Sequence, residues 1–206
     1  MEHFDRKKHW ENIYQTKALN EVSWYQPNPS TSIGLIEQAE INKHAKIIDI
    51  GGGDSFLVDK LLEKGYTNIT VLDISEAAIT RAKKRLGNDA EKVKWIVNDV
   101  SKFDPIEKYD VWHDRAAFHF LTSAKDIDQY VQTVNKGIIK GGKLIIGTFS
   151  ESGPKKCSGI EIKQYSENTL SQLMSNGFKK EECFSVDHTT PSGNTQNFLF
   201  CKFIKE

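Results

Sequence analysis

A chain of 206 residues, 38% apolar and 27% charged, fits one domain with one core and excludes the disordered and fibrous classes. Lys+Arg equals Asp+Glu at 28 each, so no basic excess points to a nucleic-acid partner. Basic clusters such as residues 81–85 have helical spacing and read as a solvated helix face without a function of their own.

Behind Met1, Glu2, His3 and Phe4 there is no long apolar run, so neither a leader nor a membrane span is expected, and a cytoplasmic location follows. Residues 1–44 read as an N-terminal cap carrying Trp10, Tyr14, Trp24 and Tyr25, with one helix over 31–39. Residues 45–206 read as the core sheet and helices of the same single domain, 1–206. From Lys46 onward, short β-branched runs alternate with helical stripes: KIIDI, SFLVDKLLEKG, NITVLDI, EAAITRAKKRLG, VKWIVNDV. Alternation of this kind implies βαβ units, a parallel sheet and helices on both faces. YDVWHD then reads as a strand, 126–139 as a helix, KLIIGTFS as a strand launched by Gly141 and Gly142, and 167–175 as a helix. The chain ends on CFSVDHTT, a PSGN turn and TQNFLFCKFI, a long antiparallel hairpin. Cys157, Cys183 and Cys201 are odd in number and lack CxxC spacing, which favours reduced thiols over a disulfide framework or a zinc site.

IIDIGGGDSFLVDKLL sets three glycines between a strand and a helix, where backbone approaches a ligand closely. Phe56 stands where the third glycine of a dinucleotide fingerprint falls, which disfavours NAD. Asp49, Asp73 and Asp99 end three successive strands, and ligands of open α/β sheets lie at those carboxyl ends.

DIGGGD, VLDIS and NDV, in this order and spacing, resemble the motifs of class I S-adenosylmethionine-dependent methyltransferases over most of the chain. The resemblance implies a seven-stranded, doubly wound, Rossmann-like, mostly parallel sheet with a C-terminal antiparallel hairpin. It implies S-adenosyl-L-methionine as cofactor and S-adenosyl-L-homocysteine as product. Gly51 and Gly53 then match the loop against the methionine part, with Asp49 beside its amino group and Asp73 on the ribose hydroxyls. Asp99 and the Val100 backbone match the adenine edge, Ile74 its ring face, and Tyr14 and Trp24 the cap over the cofactor.

WHDRAAFHFL lies where this family faces cofactor and acceptor together. His113, Asp114, Arg115 and His119 are acceptor-site candidates there, with Asp114 and Arg115 favoured as a strand-end pair. Tyr25, Cys157 and His188 are further acceptor candidates from the cap and the C-terminal segments. Asp114, His119 and His188 are the candidate catalytic groups, although methyl transfer to an unprotonated nucleophile needs no general base. The acceptor is expected to be a small molecule, with a protein lysine as the alternative and a non-catalytic cofactor-binding protein behind both. No metal, nucleic acid or membrane partner is expected, and the protein reads as a monomer or homodimer.

Overall fold

The computed structural model describes residues 4–206; the first three positions of the segment read as leaderless lie outside the described residues. Five strands follow the sequence pattern: β1 (Ile47–Ile50), β2 (Ile69–Asp73), β3 (Val93–Val97), β4 (Tyr109–Arg115) and β5 (Ile138–Phe149). A two-stranded ribbon, β6 (Lys156–Cys157) and β7 (Ile160–Glu161), follows, and β8 (Phe178–Thr189) and β9 (Thr195–Lys205) close the chain. The main sheet runs β3-β2-β1-β4-β5-β9-β8, with β1 to β5 parallel and β9 antiparallel to both its neighbours. The strand order reverses between β1 and β4, which opens a crevice at their carboxyl ends.

Helices α1 (Arg6–Thr16), α2 (Ser30–Glu37), α3 (Leu57–Glu63), α4 (Glu76–Leu86), α5 (Ala124–Gly137) and α6 (Glu167–Met174) supply the covering layers. Alternate strand residues point to opposite faces. Ile47, Val71 and Val111 therefore meet Ile36, Leu57 and Leu61 of α2 and α3. Ile48, Trp112 and Ile146 meet Tyr130, Val134 and Leu170 of α5 and α6.

Three features differ from the sequence reading. The cap contains α1, a helix not expected there: Asp5 caps it by accepting from the Lys8 N–H at 2.9 Å, and Trp10, Ile13 and Tyr14 bury one stripe. β5 starts at Ile138 rather than Lys143, because a bulge opposite Tyr109 and Val111 absorbs Gly141 and Gly142. Cys183 and Cys201 are bonded to each other, which corrects the reduced-thiol reading: they are register partners across β8 and β9, a pairing that parity arguments do not see.

The reading of 81–85 as a solvated face holds for Lys83 and Lys84, which are exposed, and fails for the two arginines, which are half-buried. Arg81 donates to the carbonyls of Tyr14 and Lys17, fastening the end of α1 to α4. Arg85 holds Asp54, Asp59 and the Ser55 carbonyl, fixing the exit of the glycine loop.

Candidate active site

The glycine loop begins where β1 ends. Gly51 has φ +66°, and a Cβ there would sit 2.7 Å from the Ala117 Cβ, so a larger residue would block this close approach. The chain opposite is bent to match: Ala116, directly after β4, also lies at positive φ (64°), a conformation non-glycine residues seldom adopt. Gly53 works differently. It lines neither lobe of the cleft described below; its N–H donates to Asp73 Oδ2 at 3.0 Å, and a Cβ would strike Ala78 and the Asp73 carboxylate.

Asp73 ends β2 with its second oxygen accepting from the Ser75 N–H at 2.8 Å. Burial outweighs these hydrogen bonds and pushes its carboxyl up to about 6. Asp99 follows β3. Its carboxylate is already engaged by the Ser101 N–H and hydroxyl and by the Arg6 guanidinium, which also pairs with Asp126. Arg6 was not singled out by sequence, since it stands among Lys7 and Lys8 with nothing to separate it from a solvated basic run.

A two-lobed cleft opens over these strand ends. The first lobe includes Gly51, Asp73, Ile74, Asn98, Asp99 and Val100 on its inner wall. Arg6, Trp10, Tyr14, Trp24 and Phe120 form its outer wall. The second lobe includes Asp49, Gly52, Ser32, His113, Tyr25 and Gln26. Tyr14, Trp24, Gly51 and Arg115 border both. Trp10 meets Trp24 and Phe120 edge to face, at 5.6 and 4.7 Å between centroids, which locks the aromatic cover.

At the second lobe, Asp49 and His113 are register partners on adjacent strands. His113 Nδ1 lies 2.7 Å from Asp49 Oδ1, and its Nε2 lies 2.8 Å from the Ser32 hydroxyl. The other oxygen, Asp49 Oδ2, is buried with no partner among the described residues.

The remaining acceptor candidates separate. Asp114 and Arg115 do not form a pair, because consecutive strand residues point to opposite faces. Asp114 turns into the α5 layer, where it accepts from the N–H groups of Ala117 and Phe118 and from the Tyr130 hydroxyl; it reaches neither lobe. Burial raises its carboxyl to about 6. His119 also misses both lobes: its ring stacks on Phe149 at 4.4 Å, neither nitrogen has a partner among the described residues, and burial with Arg115 nearby drives it down to about 3. His188 is a strut, with Nε2 donating to the Ser23 carbonyl at 2.7 Å and Nδ1 beside the Gln26 amide; burial lowers its pKa. The three placements have one cause: a hydrophilic side chain among aromatics or near a strand end is as readily consumed by the fold as offered to a ligand.

Cys157 and Arg115 do line the first lobe, on the side of β4, β5 and the ribbon. The Cys157 thiol is buried 3.8 Å from the Ser23 hydroxyl, and burial pushes its pKa up. Arg115 Nη1 donates to the Trp24 carbonyl at 3.1 Å. No cluster of three or more metal-binding side chains occurs among the described residues, and none of their helices is long and apolar enough to cross a membrane.

Residues 48–144 match the family model described as "Methyltransferase domain". Malonyl-[acyl-carrier protein] O-methyltransferase 2 of Ilyobacter polytropus is 29% identical over 150 residues, covering 71% of this chain and 56% of its own length. The eEF1A lysine and N-terminal methyltransferase of Mus musculus is 24% identical over 158 residues, covering 72% of this chain and 22% of its own. The chain thus spans little more than half of one relative and under a quarter of the other. The N-methyltransferase NodS from Bradyrhizobium japonicum WM9, solved in complex with S-adenosyl-L-homocysteine, shares the fold with a TM-score of 0.72 at 17% identity, over 98% of this chain and 99% of that one.

Proposed function

We propose, from the premise that the chain belongs to the class I S-adenosylmethionine-dependent methyltransferase family, that it binds S-adenosylmethionine in the two-lobed cleft and methylates a small molecule. The observation that carries this reading is the row Asp99, Asp73, Gly51, Arg115 along the ends of β3, β2, β1 and β4, bordering one lobe.

The residues present fit that cofactor. Bare backbone at Gly51 admits a close ligand, and the Asp73 carboxylate has lone pairs left for ribose hydroxyls after accepting two N–H groups. The unpartnered, buried Asp49 Oδ2 suits the donors of an ammonium group. Asp99 and Asn98 offer polar edges to the adenine, with Ile74 and Val100 beside them.

When bound, S-adenosylmethionine supplies a methyl group on a sulfonium, open to in-line displacement. The chain's part is to hold the acceptor close and dry, and alignment of this kind can supply roughly 7–11 kcal/mol. Trp10, Trp24 and Phe120 exclude water from the outer side. Both nitrogens of His113 are engaged and His119 and His188 line neither lobe, so the proposed reaction uses a nucleophile that arrives unprotonated.

Calorimetric titration with S-adenosylmethionine, S-adenosylhomocysteine and NAD tests the cofactor. Micromolar binding of the first two supports the reading, NAD binding alone overturns it, and binding without turnover in any extract fraction moves the non-catalytic reading forward. The eEF1A-directed relative supports a second reading, transfer to a protein lysine. Methyl acceptance that survives removal of macromolecules from an extract would sink it. A cytoplasmic location and a monomer or homodimer belong to the same proposal, to be checked by fractionation and light scattering.

A further inference from the structure

The cleft is polar at one end and aromatic at the other. Along the sheet, Asp99, Asp73 and Gly51 occupy the ends of β3, β2 and β1, while Arg115, Phe149 and Cys157 occupy the ends of β4 and β5 and the ribbon beyond. Neighbouring strands lie about 4.8 Å apart, so Arg115 stands roughly 10 Å from the ribose end, on the acceptor side of the glycine loop.

Arg115 is held without being satisfied. One nitrogen is fixed by the Trp24 carbonyl, and the guanidinium lies over Phe198 with 4.8 Å from its carbon to the ring centroid. Its other terminal nitrogen, Nη2, is buried with no partner, and no ion pair involves Arg115 among the described residues. The carboxylate whose charge acts on it, Asp49, gives its hydrogen-bonded oxygen to His113. Burial lowers Arg115 to about 10, which still leaves it cationic at neutral pH. A half-buried guanidinium whose Nη2 is itself buried and idle is costly unless an anion completes it.

Resting on the methyltransferase reading, we propose that Arg115 is the receptor for a carboxylate on the acceptor: the substrate is a small molecule with an apolar body, seated against Phe149, Phe120 and Trp24, and an anionic handle on the free edge of the guanidinium. Its fork matches carboxylate geometry. The same charge disfavours a lysine acceptor, whose ammonium would enter beside an uncompensated cation. A carboxylate held by guanidinium is a weakened nucleophile, so the atom that takes the methyl group is elsewhere on the acceptor.

The test needs no known substrate. The full-length protein, saturated with S-adenosylhomocysteine, is titrated with phenylacetate and hexanoate and with their neutral amides, in the wild type and in Arg115→Gln and Arg115→Lys. The expected result is a preference for carboxylate over amide of about tenfold or more in the wild type. That preference disappears in Arg115→Gln and is partly kept in Arg115→Lys, each variant being titrated at saturating S-adenosylhomocysteine. Equal binding of acid and amide, or a preference that survives Arg115→Gln, overturns the proposal. So does carboxylate binding that S-adenosylhomocysteine abolishes and 5′-methylthioadenosine, which lacks the amino-acid tail, does not: the guanidinium then serves the cofactor's own carboxylate. Failure of the wild type to bind S-adenosylhomocysteine is a different result, since it removes the cofactor reading itself.

Discussion

The two walls of the cleft are built by different means. The inner wall hangs on hydrogen bonds between groups near in sequence and fully buried, such as Gly53 N–H to Asp73 across 20 residues and Ser75 N–H to the same carboxylate across two. The outer wall rests on helix α1, fastened by contacts spanning 60 to 120 residues: Arg6 to Asp99 and Asp126, Glu11 to Ser75 and Ala77, and Arg81 to the carbonyls of Tyr14 and Lys17. The inner contacts are part of the sheet and cannot loosen without it. Exposed or half-exposed pairs like the outer ones contribute about 0.2–1 kcal/mol each, so the outer wall is the one that yields first.

The largest expected effect strikes the inner wall. Gly51→Ala forces a Cβ to within 2.7 Å of the Ala117 Cβ at a φ that alanine resists, and Ala117 sits in the tight bend directly behind β4. Strain and overpacking together should cost roughly 2–4 kcal/mol of stability and abolish binding of S-adenosylhomocysteine. Thermal unfolding and calorimetry would check this; a fully stable variant with intact binding would mean that the inner wall is as yielding as the outer.

Asp73→Ala comes next. Loss of the acceptor should weaken S-adenosylhomocysteine by about 1–3 kcal/mol, which is roughly 5- to 150-fold. The sign of the pH effect follows from the raised value of about 6. Above it the carboxylate is ionised and ready to accept from hydroxyls; below it a proton must be displaced on binding, so affinity falls with acidification by up to about tenfold per pH unit. The variant should lose this component of the profile. An unchanged profile would place the ribose elsewhere.

The same division decides what could be seen in the sequence. β1, β2 and the loop between them are legible because each signal is local: an apolar β-branched run, three glycines, a carboxylate at the strand end. Asp114 and Arg115 adjoin in sequence yet face different layers, and the alternation that separates them is itself a local rule; adjacency in sequence is not adjacency in space along a strand. The Cys183–Cys201 bond depends on hairpin register, fixed by the turn at residues 190–194 and by a bulge near Lys180. Arg6 is legible in neither sense. Its role arises only when α1 crosses the strand ends, and α1 itself is nearly all polar outside Trp10, Ile13 and Tyr14.

Arg6→Ala sharpens the comparison from the other side. It removes the pair with Asp99 and the pair with Asp126, all three side chains being about a fifth exposed. The expected loss is about 1 kcal/mol of stability, smaller than either inner-wall effect and shrinking as salt rises. Stopped-flow measurement should find faster release of S-adenosylhomocysteine, because the helix that closes over the first lobe has lost one anchor. Unaltered release would mean that the aromatic cluster around Trp10 holds the wall by itself.

The smallest effect is expected from Glu11→Gln. Glu11 accepts from the Ser75 hydroxyl at 2.8 Å and from the Ala77 N–H at 3.1 Å, at the N-terminus of α4, where the helix dipole favours a negative charge. Glutamine keeps an acceptor oxygen but removes the charge, so the loss should be about 0.3–1 kcal/mol, or roughly 1–4 °C in Tm for a chain of this size. Its value lies in combination. Arg6 and Glu11 are on one helix but reach different parts of the sheet, one beyond β3 and the other beyond β2. If α1 lifts as a rigid strip, the first anchor lost already frees the second, and the double variant should fall short of the sum by more than about 0.5 kcal/mol. If the two losses simply add, each end of the outer wall opens independently, and the adenine end of the cleft can admit a ligand while Trp10 and Tyr14 stay in place.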